Sequence, residues 1–86
     1  SMKNYFDKIK EKLRNKIKLE NIEIIDNSHK HIKHKSFSPE KYHLELKIKS
    51  IYLNSLSRIN AQKIVMKALE EDLKTTIHAL EIKIEQ

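Results

Sequence analysis

The 86-residue sequence contains no cysteine, no glycine, no tryptophan and a single proline. Each absence excludes something. Without cysteine there is no disulfide framework, no thiol nucleophile and no thiolate ligand, and a reducing compartment suits the chain. Without glycine there is no P-loop, no dinucleotide fingerprint, and no glycine loop of the kind that clamps an RNA backbone. Nor does any serine stand in the glycine-flanked turn that activates a hydrolase nucleophile. No apolar run approaches the length of a membrane span or a signal-peptide core, so a soluble cytoplasmic protein is expected, or a mitochondrial one if the source is eukaryotic.

What remains is short and charged. Hydrophobic residues make up 38% and charged residues 35% of the chain, and the apolar positions are periodic, which argues for a fold rather than disorder. One domain over residues 1–86 is expected, with Ser1 ahead of Met2 read as a cloning remnant. The formal charge is +6 and is unevenly placed: 13 Lys/Arg face 7 Asp/Glu in residues 1–49, and 5 face 5 in residues 50–86. The basic half would suit nucleic acid, an anionic surface or an acidic partner. Solubility alone explains such a lysine excess equally well.

The period of the apolar residues changes along the chain. Phe6, Ile9, Leu13 and Ile17 recur at helical spacing within KNYFDKIKEKLRNKIKLE. Ile22 and Ile24 then alternate with Glu23 in a strand ending at Asp26. Residues 27–40 (NSHKHIKHKSFSPE) are polar and read as a long loop. KYHLELKIKS (41–50) gives the clearest strand, with Tyr42, Leu44, Leu46 and Ile48 on one face and His43, Glu45, Lys47 and Lys49 on a wet one. Residues 54–74 return to helical spacing as a short and then a longer helix, with Ser55 or Ser57 as cap and Leu56, Ile59, Val65, Met66, Leu69 and Leu73 as apolar surface. Glu70, Glu71 and Asp72 fall late in that helix and read as a solvated end. In the final strand, His78, Leu80, Ile82 and Ile84 share one face. The order is α-β-β-α-α-β, an α+β fold whose three-stranded sheet carries helices on one side.

Carboxylates are scattered on outer faces, and no catalytic constellation emerges, so the chain is expected not to be an enzyme. Histidine is the informative residue. His29, His31 and His34 share the long loop, while His43 lies on the middle strand and His78 at the start of the last. Spacing alone favours a half-buried structural histidine at 78 and a solvated basic loop. Taken jointly, however, a long loop can fold over the rim of the sheet and bring one imidazole to His78. Two neutral nitrogens suit iron or another borderline metal but do not close a tetrahedral site. Any iron–sulfur cluster held there must draw its thiolates from a partner, as in centres with two nitrogens on one iron and two thiolates on the other.

Several segments together resemble the BolA family: KLRNKI, DNSHKH, YHLELKI, SLSRINAQKIVMKAL and EEDLKTTIHALEIK. The resemblance covers nearly the whole chain, and its specific parts are D-x-S-x-x-H and the IHAL ending. It implies a fold similar to a type II KH domain. It implies pairing with a monothiol glutaredoxin and a shared [2Fe–2S] cluster, in cluster trafficking or iron and redox regulation, with the glutaredoxin cysteine and glutathione supplying thiolates. The family's C-terminal histidine ligand falls on His78. Its loop ligand falls on His31, the histidine-loop subtype, with His29 and His34 as alternative loop ligands. No cofactor is expected in the isolated protein, and the apo form is expected to be a monomer or weak homodimer. The alternative is a DNA-binding transcription regulator using the basic first half and Arg58, Lys63 and Lys67 in the two-helix segment. There, Ala61-Gln62-Lys63 stands where relatives often carry an Arg-His-Arg-like triplet, which dilutes the basic charge.

Overall fold

A computed structural model describes residues 2–28 and 41–86. The elements are α1 (Met2–Lys16), β1 (Asn21–Asp26), β2 (Tyr42–Lys49), α2 (Ile51–Asn54), α3 (Arg58–Ala68), α4 (Glu70–Thr75) and β3 (Ile77–Glu85). The sheet order is β1-β2-β3, with β1 antiparallel and β3 parallel to the central β2. This is the expected α+β arrangement, with the second helical segment divided in three rather than two. Among the described residues, no helix is long and apolar enough to cross a membrane.

The alternation of β2 produces the core. Leu44, Leu46 and Ile48 point to the inner side, where Ile22 of β1 and Ile77 and Ile82 of β3 join them. Ile9, Leu13 and Ile17 close the layer from α1, and Leu53, Ala61, Val65, Ala68 and Leu69 close it from the other helices. Ile59 and Met66, expected to add apolar surface, do not enter it. They are 67% and 40% exposed, because the small Ala61 and Ala68 bring α3 against the sheet and turn its larger apolar residues outward.

Capping explains why the helices begin where they do. Ser50 follows β2 directly and caps α2, so this helix starts before the expected residue 54. Its hydroxyl donates to the Lys18 carbonyl at 2.7 Å and accepts the Leu53 amide at 3.0 Å. Ser57 caps α3 by accepting the Asn60 amide at 3.1 Å, a contact worth about 1 kcal/mol. Ser55 instead ends α2. At Leu69 the amide is shared between the Val65 and Met66 carbonyls, both at 3.2 Å, and the helix restarts as α4. The restart corrects the reading of Glu70, Glu71 and Asp72. They form a first turn, where the amide ends favour negative charge.

Asp72 is not solvated either. It is buried, and its carboxylate accepts the Tyr5 hydroxyl at 2.7 Å and the Lys12 ammonium at 2.6 Å. This ties α1 to the start of α4. The Tyr5 ring stacks on Tyr42 at 5.6 Å, and Phe6 meets Tyr42 edge-on at 5.3 Å. Burial pushes the Asp72 carboxyl upward, but the hydrogen bonds from Lys12 and Tyr5 outweigh it and hold the group below its ordinary 3.8. Burial, reinforced by the same carboxylate, drives the Tyr5 phenol well above its usual value. A depressed carboxyl contributes stability that is complete above its unfolded value and is lost as pH falls through the folded one. Urea titrations of wild type and Asp72→Asn should therefore differ at pH 7 and converge below the ordinary carboxylate range. Parallel curves down to strong acid would show that the charge of Asp72 contributes nothing.

Candidate metal-binding end of the sheet

Three strand ends converge at one end of the sheet. Asp26, last in β1, is opposite Leu44, and Tyr42, first in β2, is opposite Ile77, first in β3. The segment bearing His29, His31 and His34 leaves from Ser28 and returns at Lys41; these three histidines lie outside the described residues. Its departure is fixed by Asp26 and Ser28, the first two residues of D-x-S-x-x-H. The Asp26 carboxylate accepts the Ser28 amide at 2.9 Å, and the Ser28 hydroxyl accepts the His43 amide at 3.1 Å. The Asn27 amide also donates to the His43 carbonyl at 2.8 Å, and on the other side of β2 the Tyr42 amide donates to the Thr76 carbonyl at 2.9 Å. The motif thus begins as a turn stitched to β2 one residue from the parallel pairing with β3.

His78 sits on that end, but not on the face its alternation suggested. The register passes from Tyr42↔Ile77 to His43↔Ala79, leaving His78 as the extra residue of a bulge. The bulge lets Ile77 enter the core at 1% exposure while Leu80, Ile82 and Ile84 keep the inner side. His78 is exposed. Strict period-2 alternation through an unrecognised bulge gave the wrong face.

The second difference concerns the outer face of β2. His43 and Glu45 are buried rather than wet, because a central strand has neighbours on both sides. The His43 ring lies against the His78 ring, with centroids 5.0 Å apart and planes at 49°. His43 therefore packs beside the candidate ligand and limits its orientations. Spacing gave no sign of this pairing, since 35 residues separate the two.

Below the histidines the outer face is a charge lattice. Glu45 and Glu81 are directly opposite, a like-charge pair that would repel. The Lys83 ammonium bridges them at 3.2 and 3.7 Å. The hydrogen bond between Lys83 and Glu45 lowers the Glu45 carboxyl and raises the Lys83 ammonium. These groups are mutually satisfied. Among the described residues, no three His, Cys, Asp or Glu side chains are grouped so as to hold a metal ion by themselves.

The basic residues offered for nucleic acid are dispersed. Arg58, Lys63 and Lys67 are all exposed on α3. Arg58 borders a shallow groove with Leu53, Leu56, Gln62 and Lys83, whereas Lys67 borders another with Met66, Glu70 and Leu73. Five residues separate Arg58 from Lys63, so they do not share a helical stripe.

The fold and this sheet end define a small α+β domain with a mixed three-stranded sheet, a one-sided helical layer and a histidine-bearing rim. Residues 13–86 match the family described as BolA, BolA-like protein, and the chain belongs to it. The BolA domain of SufE1 from Arabidopsis thaliana is similar, with 28% identity and a TM-score of 0.76, over 92% of this chain and 87% of that one. BolA1 from the same organism shares 27% identity at a TM-score of 0.75, over 91% and 86% of the respective chains. The solution structure of BolA1 from Mus musculus shares 25% identity at a TM-score of 0.70, over 90% of this chain and 60% of the mouse chain. No curated protein matches the sequence.

Proposed function

We propose that this protein is a non-catalytic iron–sulfur adaptor. It pairs with a monothiol glutaredoxin and completes a shared [2Fe–2S] cluster through His78 and a loop histidine, His31 by the D-x-S-x-x-H motif. One observation carries the reading: both described ends of the loop, Ser28 and Lys41, flank the sheet end at which the bulge exposes His78.

The residues suit such a group. An exposed imidazole offers a borderline nitrogen donor, and a chain without cysteine cannot supply thiolates of its own. The cluster, when bound, would contribute exchangeable iron and one-electron chemistry. The protein's part is to present neutral imidazole nitrogens, to hold the His78 ring against His43, and to anchor the loop through Asp26 and Ser28. Membership of the BolA family supports the partnership. Pairing with glutaredoxin places the chain in cluster trafficking or iron and redox regulation.

The test combines this protein with a monothiol glutaredoxin, glutathione, ferrous iron and sulfide, and records visible absorption and circular dichroism. The expected spectrum differs from that of the glutaredoxin cluster alone. His31→Ala is expected to abolish the difference, and His29→Ala and His34→Ala to leave it. A mixture that merely reproduces the glutaredoxin spectrum would refute the adaptor reading. Loss with His29→Ala or His34→Ala instead would move the loop ligand.

A further inference from the structure

The two edges of the sheet are not equivalent. At the β3 edge, the bulge at His78 breaks the run, and the Gln62 side-chain amide donates to the Ile82 carbonyl at 3.0 Å. The charged Lys83 follows directly. Bulges, side-chain plugs and lysines are how an edge is kept from pairing with another chain. The β1 edge, NIEIID, has no proline, no lysine and no bulge, and among the described residues no side chain bonds to its outward backbone groups.

The backbone of β1 can be oriented from its pairing. The Asn27 amide bonds to the His43 carbonyl, so the residues in phase with Asn27 point their backbone groups toward β2. These are Ile25, Glu23 and Asn21. By the alternation of an antiparallel ladder, Ile22, Ile24 and Asp26 aim their amides and carbonyls at the open edge. Among the described residues, no hydrogen bond reaches those groups. Ile24 and Ile25, one on each face, are half-buried.

We propose that the β1 edge is a self-association surface on which a second copy of this chain adds its own β1, antiparallel, about a two-fold axis at Ile24. Symmetry and charge suit a second copy of the same strand, and an axis at Ile24 pairs all three residues with outward backbone groups. Only residues with outward backbone groups can exchange hydrogen bonds across the edge, which rules out centring the pair between two residues. An axis at Glu23 would set two carboxylates face to face in a non-hydrogen-bonded pair, about 4.5 Å between Cα atoms, and like charges there are destabilising. An axis at Ile24 avoids this. Each Ile24 exchanges both backbone bonds with its counterpart, Ile22 does so with Asp26, and Glu23 lies opposite Ile25. Residues of like parity then meet, so the inner faces of the two sheets are continuous and the helices of both copies lie on one side. A strand that is self-complementary in one register fits the isologous contact of a two-fold dimer.

Sedimentation velocity on the full chain, over a dilution series, tests this. Wild type should shift from monomer to dimer with concentration. Ile24→Pro removes the outward amide at the axis in both copies while leaving the β1–β2 bonds intact, and should weaken association at least about tenfold. Ile25→Lys, which faces Glu23 across the edge and Glu45 within the chain, makes both contacts attractive and should tighten association. Circular dichroism checks the fold of each variant. Hydrogen exchange on wild type gives a second readout that needs no variant: the amides of Ile22, Ile24 and Asp26 should gain protection with concentration. A monomer at every concentration would overturn the proposal. So would a dimer indifferent to Ile24→Pro, or one whose β1 amides stay unprotected.

Discussion

Leu46→Ala is expected to lower the unfolding free energy by about 2–5 kcal/mol, the range for emptying a fully buried leucine site. Leu46 is completely buried on the central strand, paired with Ile24 on one side and Ile82 on the other, beneath the helical layer. Both flanking strands are fixed by β2, so the cavity cannot collapse by moving one neighbour without disturbing the other. A domain of this size has roughly 5–15 kcal/mol in total, and each kcal/mol shifts the melting temperature by roughly 4–8 °C. The variant should therefore melt far earlier, or be unfolded at physiological temperature. Lys49→Ala, exposed at the end of the same strand, should stay within about 0.5 kcal/mol of wild type. Urea denaturation of both checks the contrast. A loss below about 1 kcal/mol for Leu46→Ala would mean that β2 is not the centre of the core.

His78→Ala should behave in the opposite way. The side chain is exposed on the extra residue of a bulge, and the core position beside it belongs to Ile77. Stability should change by no more than about 0.5 kcal/mol. The visible spectrum of the mixed cluster with glutaredoxin should be lost, because removing one of two nitrogen donors leaves an iron that the chain has no cysteine to complete. The separation matters. A variant that loses the cluster while keeping wild-type urea and thermal transitions has lost a ligand, not a fold. A variant that keeps the cluster spectrum would remove His78 from the site.

The fold was legible where one physical signal dominated. Tyr42–Lys49 reads as a strand because its apolar residues alternate without interruption, and α1 because Phe6, Ile9 and Leu13 repeat at helical spacing. The misreadings have specific causes. Ser50 looks like the end of a strand in sequence, but its hydroxyl joins α2 to the Lys18 carbonyl, a contact between residues 32 positions apart. Asp72 looks solvated in a run of acids, and only the distant Tyr5 and Lys12 bring it inside. His78 looks inward because a bulge leaves no mark in a run without glycine. At the site, Asp26, Ser28 and His78 were legible as a motif and an ending. The contact of His43 with His78 was not, because the strands that align them are parallel and joined by three helices.

On the proposed reading, this geometry would let a small basic domain serve a cofactor that it does not hold alone. Among the described residues, stability resides in the sheet, the helical layer and the Asp72 tie, whereas the bulge residue His78 is exposed and lies outside the core. Ligand exchange there need not disturb the fold.

Pulsed electron paramagnetic resonance tests the central claim most directly. The histidines of this protein alone would be labelled with ¹⁵N, the complex with unlabelled glutaredoxin and glutathione assembled, and the cluster reduced by one electron. The account predicts strong ¹⁵N couplings from a pair of directly bound histidine nitrogens, reduced to one in any residual cluster formed by His78→Ala. A reduced cluster without strong ¹⁵N coupling would show that its ligands come from elsewhere, and would contradict it.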